Sequence, residues 1–146
     1  MPVPEWLPVR TSDWRLRALR DRHYAGGVGG LTVGQPGRRL AFVTFDGTAG
    51  WVSHWPRPEL ASHGYGDAYV CTLFRKECPG LASAMIEAAL VLTEQRWGAP
   101  PDGGWLTFVD ATKVRHKRDP GRCFRRAGFR VVGSTKDRGL IVLQRT

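Results

Sequence analysis

The residues most able to do chemistry form a basic segment between positions 113 and 130. It holds eight arginines and lysines against one acidic residue, Asp119. Cationic side chains at this density neutralise nucleic-acid phosphates and displace their counterions. A solvated face that aids solubility is the alternative, but so local a surplus favours polyanion binding. The basic residues are Lys113, Arg115, Lys117, Arg118, Arg122, Arg125, Arg126 and Arg130.

Two carboxylates lie beside the basic segment. Asp110 directly follows the apolar run 105–109, and Asp119 precedes a proline. A carboxylate at the end of a buried strand lies at the rim of a ligand site, where it can accept a proton. Each also has a purely structural interpretation, Asp110 as a partner of nearby cations and Asp119 as a helix N-cap. Both stand as candidate bases.

His23 and Tyr24 precede the glycine-rich stretch 25–30. Both side chains carry a dissociable proton, and Tyr24 can also stack on a nucleic-acid base. The alternative is a helix end at which a histidine is favoured by the helix dipole. Three further aromatic residues could stack on an extruded base, although a core position is the commoner use of the tryptophans: Trp51, Trp55 and Tyr65.

A turn-forming segment, 75–82, separates an apolar run from a long helical pattern. Its Pro-Gly pair, at 79 and 80, predicts a turn that delivers the N-terminus of a helix. The free N–H groups of a helix N-terminus bind phosphates and other anions. Gly80, Leu81 and Ala82 are therefore candidate ligand contacts.

The whole chain has 146 residues, 22 Lys and Arg against 13 Asp and Glu, and a pI near 10.3. This length predicts a single domain, 1–146. No apolar run is long enough to span a bilayer, and the first residues do not form a secretory signal, so a cytoplasmic location is expected. The three cysteines lack a C-x-x-C pair and the histidines lack zinc-finger spacing, so no disulfide framework or metal site is predicted.

The apolar periodicity predicts a mixed α/β sheet with helices packed on it. Ser12 or Asp13 should cap the first helix, and Asp119 followed by Pro120 should begin the last. The strand at 31–33 should form a hairpin with the next one. The buried stripe of the long helix should comprise Leu81, Met85, Ala88, Ala89 and Leu92. Helices are predicted at 14–24, 81–97 and 121–127, and strands at 31–33, 39–45, 51–55, 68–74, 105–109, 129–132 and 139–143.

The second half of the chain resembles the GNAT superfamily of N-acetyltransferases. The family's turn, Q/R-x-x-G-x-G/A, is matched by Glu77 to Ala82, with Glu77 where the family has Gln or Arg. Its F-Y-x-x-x-G-F motif is matched by Cys123 to Phe129, with Cys123 in place of the first aromatic residue. The resemblance covers about residues 28–146 in element order. It implies a mostly antiparallel central sheet with a splayed strand pair and flanking helices, and an acetyl-CoA or other acyl donor.

A narrower set of residues resembles the Mom DNA-modification proteins of bacteriophages, which are divergent GNAT-like enzymes. It comprises Phe108 to Asp110, the basic stretch, the run Arg118 to Phe124, and the pair His23-Tyr24. The resemblance implies transfer to adenine N6 in DNA, as a carbamoylmethyl group that protects against restriction. It also allows a need for iron. The polar positions that it carries over are His23, Tyr24, Arg75, Asp110 and Asp119.

DNA is therefore the expected partner, and the basic segment with Arg75 its expected contact. The main alternative is an acyl-CoA-dependent N-acyltransferase that acts on the amine of a small molecule or a protein. A non-catalytic DNA-binding protein is a second alternative, although the sequence contains no helix-turn-helix or zinc finger. A membrane-surface protein fits less well, because the basic segment lacks a large apolar face. A homodimer stays open.

Overall fold

The computed structural model describes residues 5–22, 37–57, 59, 64–112 and 120–146. In this part of the chain, three helices accompany one seven-stranded sheet. The helices are α1 (Trp14–Arg22), α2 (Ala82–Trp97) and α3 (Arg122–Arg126). The strands are β1 (Leu7–Val9), β2 (Arg38–Val43), β3 (Ala49–Trp55), β4 (Tyr69–Lys76), β5 (Trp105–Val109), β6 (Arg130–Ser134) and β7 (Ile141–Arg145).

The strands follow one another across the sheet in the order β1-β2-β3-β4-β5-β7-β6. Every neighbouring pair is antiparallel except β4 and β5, which are parallel. A parallel pair needs a crossover, and α2 supplies it. The carboxyl ends of β4 and β5 therefore lie at the same edge of the sheet, where open α/β sheets bind ligands.

Alternation along β3 sends its side chains to two separate cores. Ala49 and Trp51 face α2 and α3, where they join Met85 and other buried residues of the larger core. Val52 faces the opposite side, where it packs with Leu16 of α1. β3 is thus buried on both faces, as a strand covered from both sides must be.

Gly50 makes room for α1 on its face of the sheet. A Cβ at this position would lie 2.8 Å from Leu19 Cδ1 and 3.2 Å from Leu16 Cδ1. The helix begins where the carboxylate of Asp13 accepts the backbone N–H of Arg15 at 2.9 Å, which is N-cap geometry. The predicted Asp13 cap is therefore confirmed.

Several local features predicted from the sequence differ from those in the structure. It missed β1, which has only three residues and pairs with β2. The first strand of the predicted hairpin, 31–33, lies outside the described residues. The predicted start of the last helix is wrong, because α3 begins at Arg122 after Gly121, whose left-handed φ of 81° serves as the N-cap. The predicted stripe of α2 is wrong at Leu81, which is 59% exposed, and it omitted Ile86, Leu90 and Thr93.

Candidate active site

The parallel strands β4 and β5 part soon after they begin. Only three residue pairs are in register, and the last is Cys71 with Thr107. At this last pair the Thr107 hydroxyl also donates to the Cys71 carbonyl, at 3.2 Å. Beyond it, β4 runs on to Lys76 without pairing to β5. A V-shaped opening results, with the backbone of β4 along one side.

A β-bulge lies next to this parting point. The register between β3 and β4 passes from Ser53 opposite Cys71 to Val52 opposite Leu73, so Thr72 is the extra residue. A bulge bends its strand and increases the local twist. This bend turns β4 away from β5 and leaves the next backbone groups of β4 unpaired with that strand.

The segment that follows β4 reverses the chain and begins α2. Gly80 has φ of 117°, a conformation that residues with a Cβ rarely adopt. Leu81 is the N-cap residue, and no side chain caps the helix. The first N–H groups of α2 are therefore left for solvent or for an anion. The structure thus places the predicted Gly80, Leu81 and Ala82 together at the open end of the β4–β5 pair.

Three charged side chains close a ring beside this turn. Glu77 accepts hydrogen bonds from Nε and Nη2 of Arg22, both at 2.8 Å, and from Nε of Arg75 at 2.6 Å. Arg75 Nη1 in turn donates to the backbone carbonyl of Arg22 at 2.7 Å. The bonds from Arg22 and then from Arg75 lower the pKa of Glu77 from 4.5 to about 2. We call this ring of Arg22, Glu77 and Arg75 the ionic clip.

Asp110 follows β5 at the same open edge, as its position in the sequence predicts. It is half-buried, and its Oδ1 accepts the backbone N–H of Thr112 at 3.0 Å and the Thr112 hydroxyl at 2.6 Å. These bonds form a turn that fixes the carboxylate at the end of the strand. The turn-forming carboxylate thus lies at the rim of the opening, its pairing with Lys113 or Arg115 falls outside the described residues, and its role as a base stays a prediction.

Helix α3 packs over the larger core beside the open end. Phe124 lies edge-on to Phe74 of β4, with ring centroids 6.1 Å apart. The opposite face of the helix carries arginines at i, i+3 and i+4 spacing, and Arg130 follows at the start of β6. Within the described ranges, the guanidinium groups of Arg122, Arg126 and Arg130 make no hydrogen bond or ion pair. The exposed arginines of this ridge are Arg122, Arg125, Arg126 and Arg130.

The thiol nearest the parting point is not a nucleophile. Cys71 is fully buried, and burial raises the pKa of its thiol well above the ordinary value. A protonated, enclosed thiol is inert. Phe124, which aligns with the tyrosine of the F-Y-x-x-x-G-F motif, has no hydroxyl to donate. Transfer chemistry at this opening must therefore rely on backbone groups and on side chains other than these two.

Several predicted site residues lie outside the described residues: His23, Tyr24, Lys113, Arg115, Lys117, Arg118 and Asp119.

The three further aromatic residues predicted to stack on an extruded base lie either in the core or at the end of the sheet opposite the β4–β5 opening. Trp51 is fully buried in the core. Trp55 lies under the guanidinium of Arg38, at 4.3 Å from the ring centroid, at the opposite end of the sheet from the turn. Tyr65 also lies at that far end, beside Asp67 and Gly103.

The sequence did not reveal three features of the site. Arg22 was not a candidate, because nothing in a helical segment indicates a partner 55 positions away. In the sequence, Glu77 was noted only because it differs from the Gln or Arg of the GNAT turn. In the structure, its carboxylate accepts hydrogen bonds from two arginines. The bulge at Thr72 has no local signal either, since threonine is an ordinary strand residue.

Comparisons with known proteins support the fold. No family model matches the sequence, and no curated protein matches it. A crystal structure of an acyl-CoA N-acyltransferase from Pseudomonas aeruginosa is similar over 99% of this chain and 100% of that chain, with a TM-score of 0.61 and 16% identity. The chain therefore has the GNAT fold, as the sequence predicted. None of these findings points to the Mom family.

The described part of the chain gives no site for the iron that the Mom resemblance allows. Nowhere in it do three or more His, Cys, Asp or Glu side chains come together as metal ligands would. The same residues contain no helix long and apolar enough to cross a membrane.

Proposed function

We propose that this protein transfers an acyl group from acyl-CoA to an amine. The observation that carries the proposal is the parting of β4 from β5 at Cys71 and Thr107, next to the uncapped N-terminus of α2. An opening between strands accepts an extended chain such as pantetheine, and free N–H groups bind its phosphates. The similarity to an acyl-CoA N-acyltransferase supports the same donor.

The reaction joins the amine nitrogen to the acyl carbon and releases CoA as its thiol. Negative charge develops on the carbonyl oxygen in the transition state, and backbone N–H donors stabilise such charge. The β4 backbone beyond Cys71 can provide a donor, because β5 no longer pairs with it. The attacking nitrogen must also lose a proton, and Asp110 is the carboxylate at the rim of the opening that can accept it.

A direct test measures donor binding and turnover with the purified protein. Calorimetry with acetyl-CoA should show binding, and thiol release should appear when a suitable amine is added. Asp110→Asn should lower kcat by about 100-fold or more, the usual range for a lost general base, and leave acetyl-CoA affinity nearly unchanged. Asp102→Asn is the matched control, because Asp102 is exposed at the opposite end of β5. Equal activity of the two variants would remove Asp110 from the mechanism.

We propose a second candidate acceptor, adenine N6 in DNA, on the strength of the arginine ridge. Within the described ranges, the guanidinium groups of Arg122, Arg126 and Arg130 are unpaired, and such groups suit phosphates, which an arginine contacts through two nitrogens at once. The enzyme would need the base extruded from the duplex or presented on a single strand. The carbamoylmethyl product is implied by the resemblance to the Mom proteins, and the mass of the product would identify the group.

Mass spectrometry of nucleosides tests this acceptor. DNA from cells that express the protein is digested and compared with DNA from cells that express Asp110→Ala. A heavier deoxyadenosine found only with the unaltered protein would establish base modification. Unaltered nucleosides, together with turnover of a small amine by the purified protein, would make DNA the wrong acceptor.

A further inference from the structure

The ionic clip joins the end of α1 to a part of the chain more than 50 residues away, the end of β4 and the turn after it. Arg22 ends α1, Arg75 lies near the end of β4, and Glu77 begins the turn that leads to α2. The backbone N–H of Glu77 also donates to the Thr48 carbonyl at 2.6 Å, in the turn between β2 and β3. Lys76 Nζ donates to the Cys78 carbonyl within the same turn. The turn is therefore held from both sides.

The ionic clip contains two positively charged side chains and only one negatively charged side chain. Two guanidinium groups share a single carboxylate, so a net charge of about one proton remains at the turn. Arg22 uses Nε and Nη2 on Glu77, and Arg75 uses Nε on Glu77 and Nη1 on the Arg22 carbonyl. Among the described residues, Arg22 Nη1 and Arg75 Nη2 have no partner. Both side chains also remain open to solvent, at 48% and 32% exposure.

We propose that Glu77 is a positioning residue for the phosphate groups of the donor. It holds Arg22 and Arg75 so that one nitrogen of each guanidinium stays available to a phosphate at the turn. The proposal rests on the proposed acyl-CoA donor. It gives a reason for a carboxylate at a turn that receives anions, where its own charge alone would oppose binding.

Removing the charge of Glu77 distinguishes two possible effects of this residue on CoA binding, repulsion of the donor and positioning of the two arginines. If Glu77 only repels the donor, Glu77→Gln removes a negative charge and tightens CoA binding. If Glu77 positions the two arginines, the same change frees them, and CoA binding weakens although the turn becomes more positive. An amide cannot replace the carboxylate, because it offers one acceptor oxygen and a donor NH₂ group toward the second guanidinium.

The experiment compares CoA, dephospho-CoA and pantetheine by calorimetry, using the full chain and Glu77→Gln. We expect Glu77→Gln to raise Kd for CoA by about five- to tenfold, equivalent to roughly one ordinary hydrogen bond. Pantetheine affinity should not change, since pantetheine has no phosphate. A loss confined to CoA would assign the effect to the 3′-phosphate, and a loss shared by dephospho-CoA would assign it to the diphosphate.

Two further variants separate positioning from charge. Arg22→Lys keeps the charge and loses the fork on Glu77, so it should weaken CoA binding nearly as much as Glu77→Gln. Glu87→Gln is the matched control, because Glu87 is exposed on α2 and its change removes the same charge. That control should leave CoA affinity unchanged or slightly higher. Melting temperatures of the free proteins show that each variant is folded.

Failure of this proposal can be told from failure of the proposed function. If the unaltered protein binds CoA and Glu77→Gln binds it equally well or better, Glu77 does not position the arginines. If the protein binds pyrophosphate in a manner sensitive to Glu77→Gln but does not bind CoA, the phosphate site stands and the acyl-CoA donor is wrong. Binding of neither ligand would overturn both proposals.

Discussion

The two ends of the β4–β5 pair differ in composition: buried aromatic residues lie at one end, and charged residues with a glycine turn lie at the other. At the closed end, Tyr69 pairs with Trp105 in register, and their rings meet edge to face at 5.3 Å. The Tyr69 hydroxyl donates to the Gly98 carbonyl at 3.0 Å, and Trp105 Nε1 donates to Glu94 at 3.2 Å. At the open end, the same strands are separate, and their neighbours are an ionic clip and a glycine turn.

This difference shows how two neighbouring strands can be fixed together at one end and remain apart at the other. The aromatic packing at the closed end fixes the direction in which each strand leaves. The strands then diverge beyond Cys71 and Thr107, next to the bulge at Thr72, which bends β4. We therefore expect the closed end to contribute more to stability, whereas the groups proposed to bind a ligand lie at the open end.

The comparison predicts its largest effect at the closed end. Trp105→Ala should lower the free energy of unfolding by about 3–5 kcal/mol, because a fully buried tryptophan leaves a cavity. Leu81→Ala, at the open end, should change it by less than about 0.5 kcal/mol, since that side chain is largely exposed. Denaturant unfolding of both variants measures the contrast. Similar losses in the two would show that stability is not divided between the ends in this way.

A smaller effect is expected at the parting point itself. Thr107→Val keeps the shape of the side chain but removes its hydrogen bond to the Cys71 carbonyl. The free energy of unfolding should fall by about 1–2 kcal/mol, because a buried carbonyl loses its side-chain donor. Thr72→Val is the control, since the hydroxyl of Thr72 makes only a long contact of 3.5 Å with the Val52 carbonyl. The control should lose clearly less stability in the same denaturant titration.

A Thr107→Val variant as stable as the unaltered protein would mean that the hydroxyl adds nothing to the backbone pairing of β4 with β5 at this position. The point of divergence would then not depend on the threonine hydroxyl.

Much of the closed end is predictable from the sequence, whereas little of the open end is. The apolar run at 105–109 matches β5 at both ends, because a strand covered on both faces is continuously apolar. The start of the long helix was predicted one residue too early, and Asp13 was one of the two residues, with Ser12, that were predicted to cap the first helix. These features depend on residues adjacent in the chain, and local preferences therefore reveal them.

The open end depends on contacts between distant residues. Glu77 has two ordinary neighbours in the sequence, and only the fold brings Arg22 to it. The Pro-Gly turn was visible, but the bulge and the parting of the strands were not, since both are relations between strands. Asp110 was named as a candidate for a general reason, because residues that follow buried parallel strands lie at the edge where such sheets bind ligands, and its role stays a prediction.

The smallest effect concerns the pH dependence of the open end. The bonds from Arg22 and Arg75 hold the pKa of Glu77 at about 2, below its ordinary value of 4.5. A lowered carboxylate pKa stabilises the folded state fully above the unfolded value, and this stabilisation is lost as pH falls toward the folded value. The melting-temperature difference between the unaltered protein and Glu77→Gln should therefore be constant from pH 7 to about 5. It should then shrink between pH 4.5 and 2.

The melting temperatures of the unaltered protein and Glu77→Gln must be subtracted, because Asp13 and Asp46 also have lowered pKa values. Protonation of these two residues destabilises both proteins in acid. Their contributions cancel in the subtraction. The difference for Thr107→Val should stay level over the same range, since neither the hydroxyl nor the carbonyl titrates. If the Glu77→Gln difference were instead level down to pH 2.5, the carboxylate would not be held by the arginines in the folded protein. The clip would then not be the feature that distinguishes the open end from the closed one.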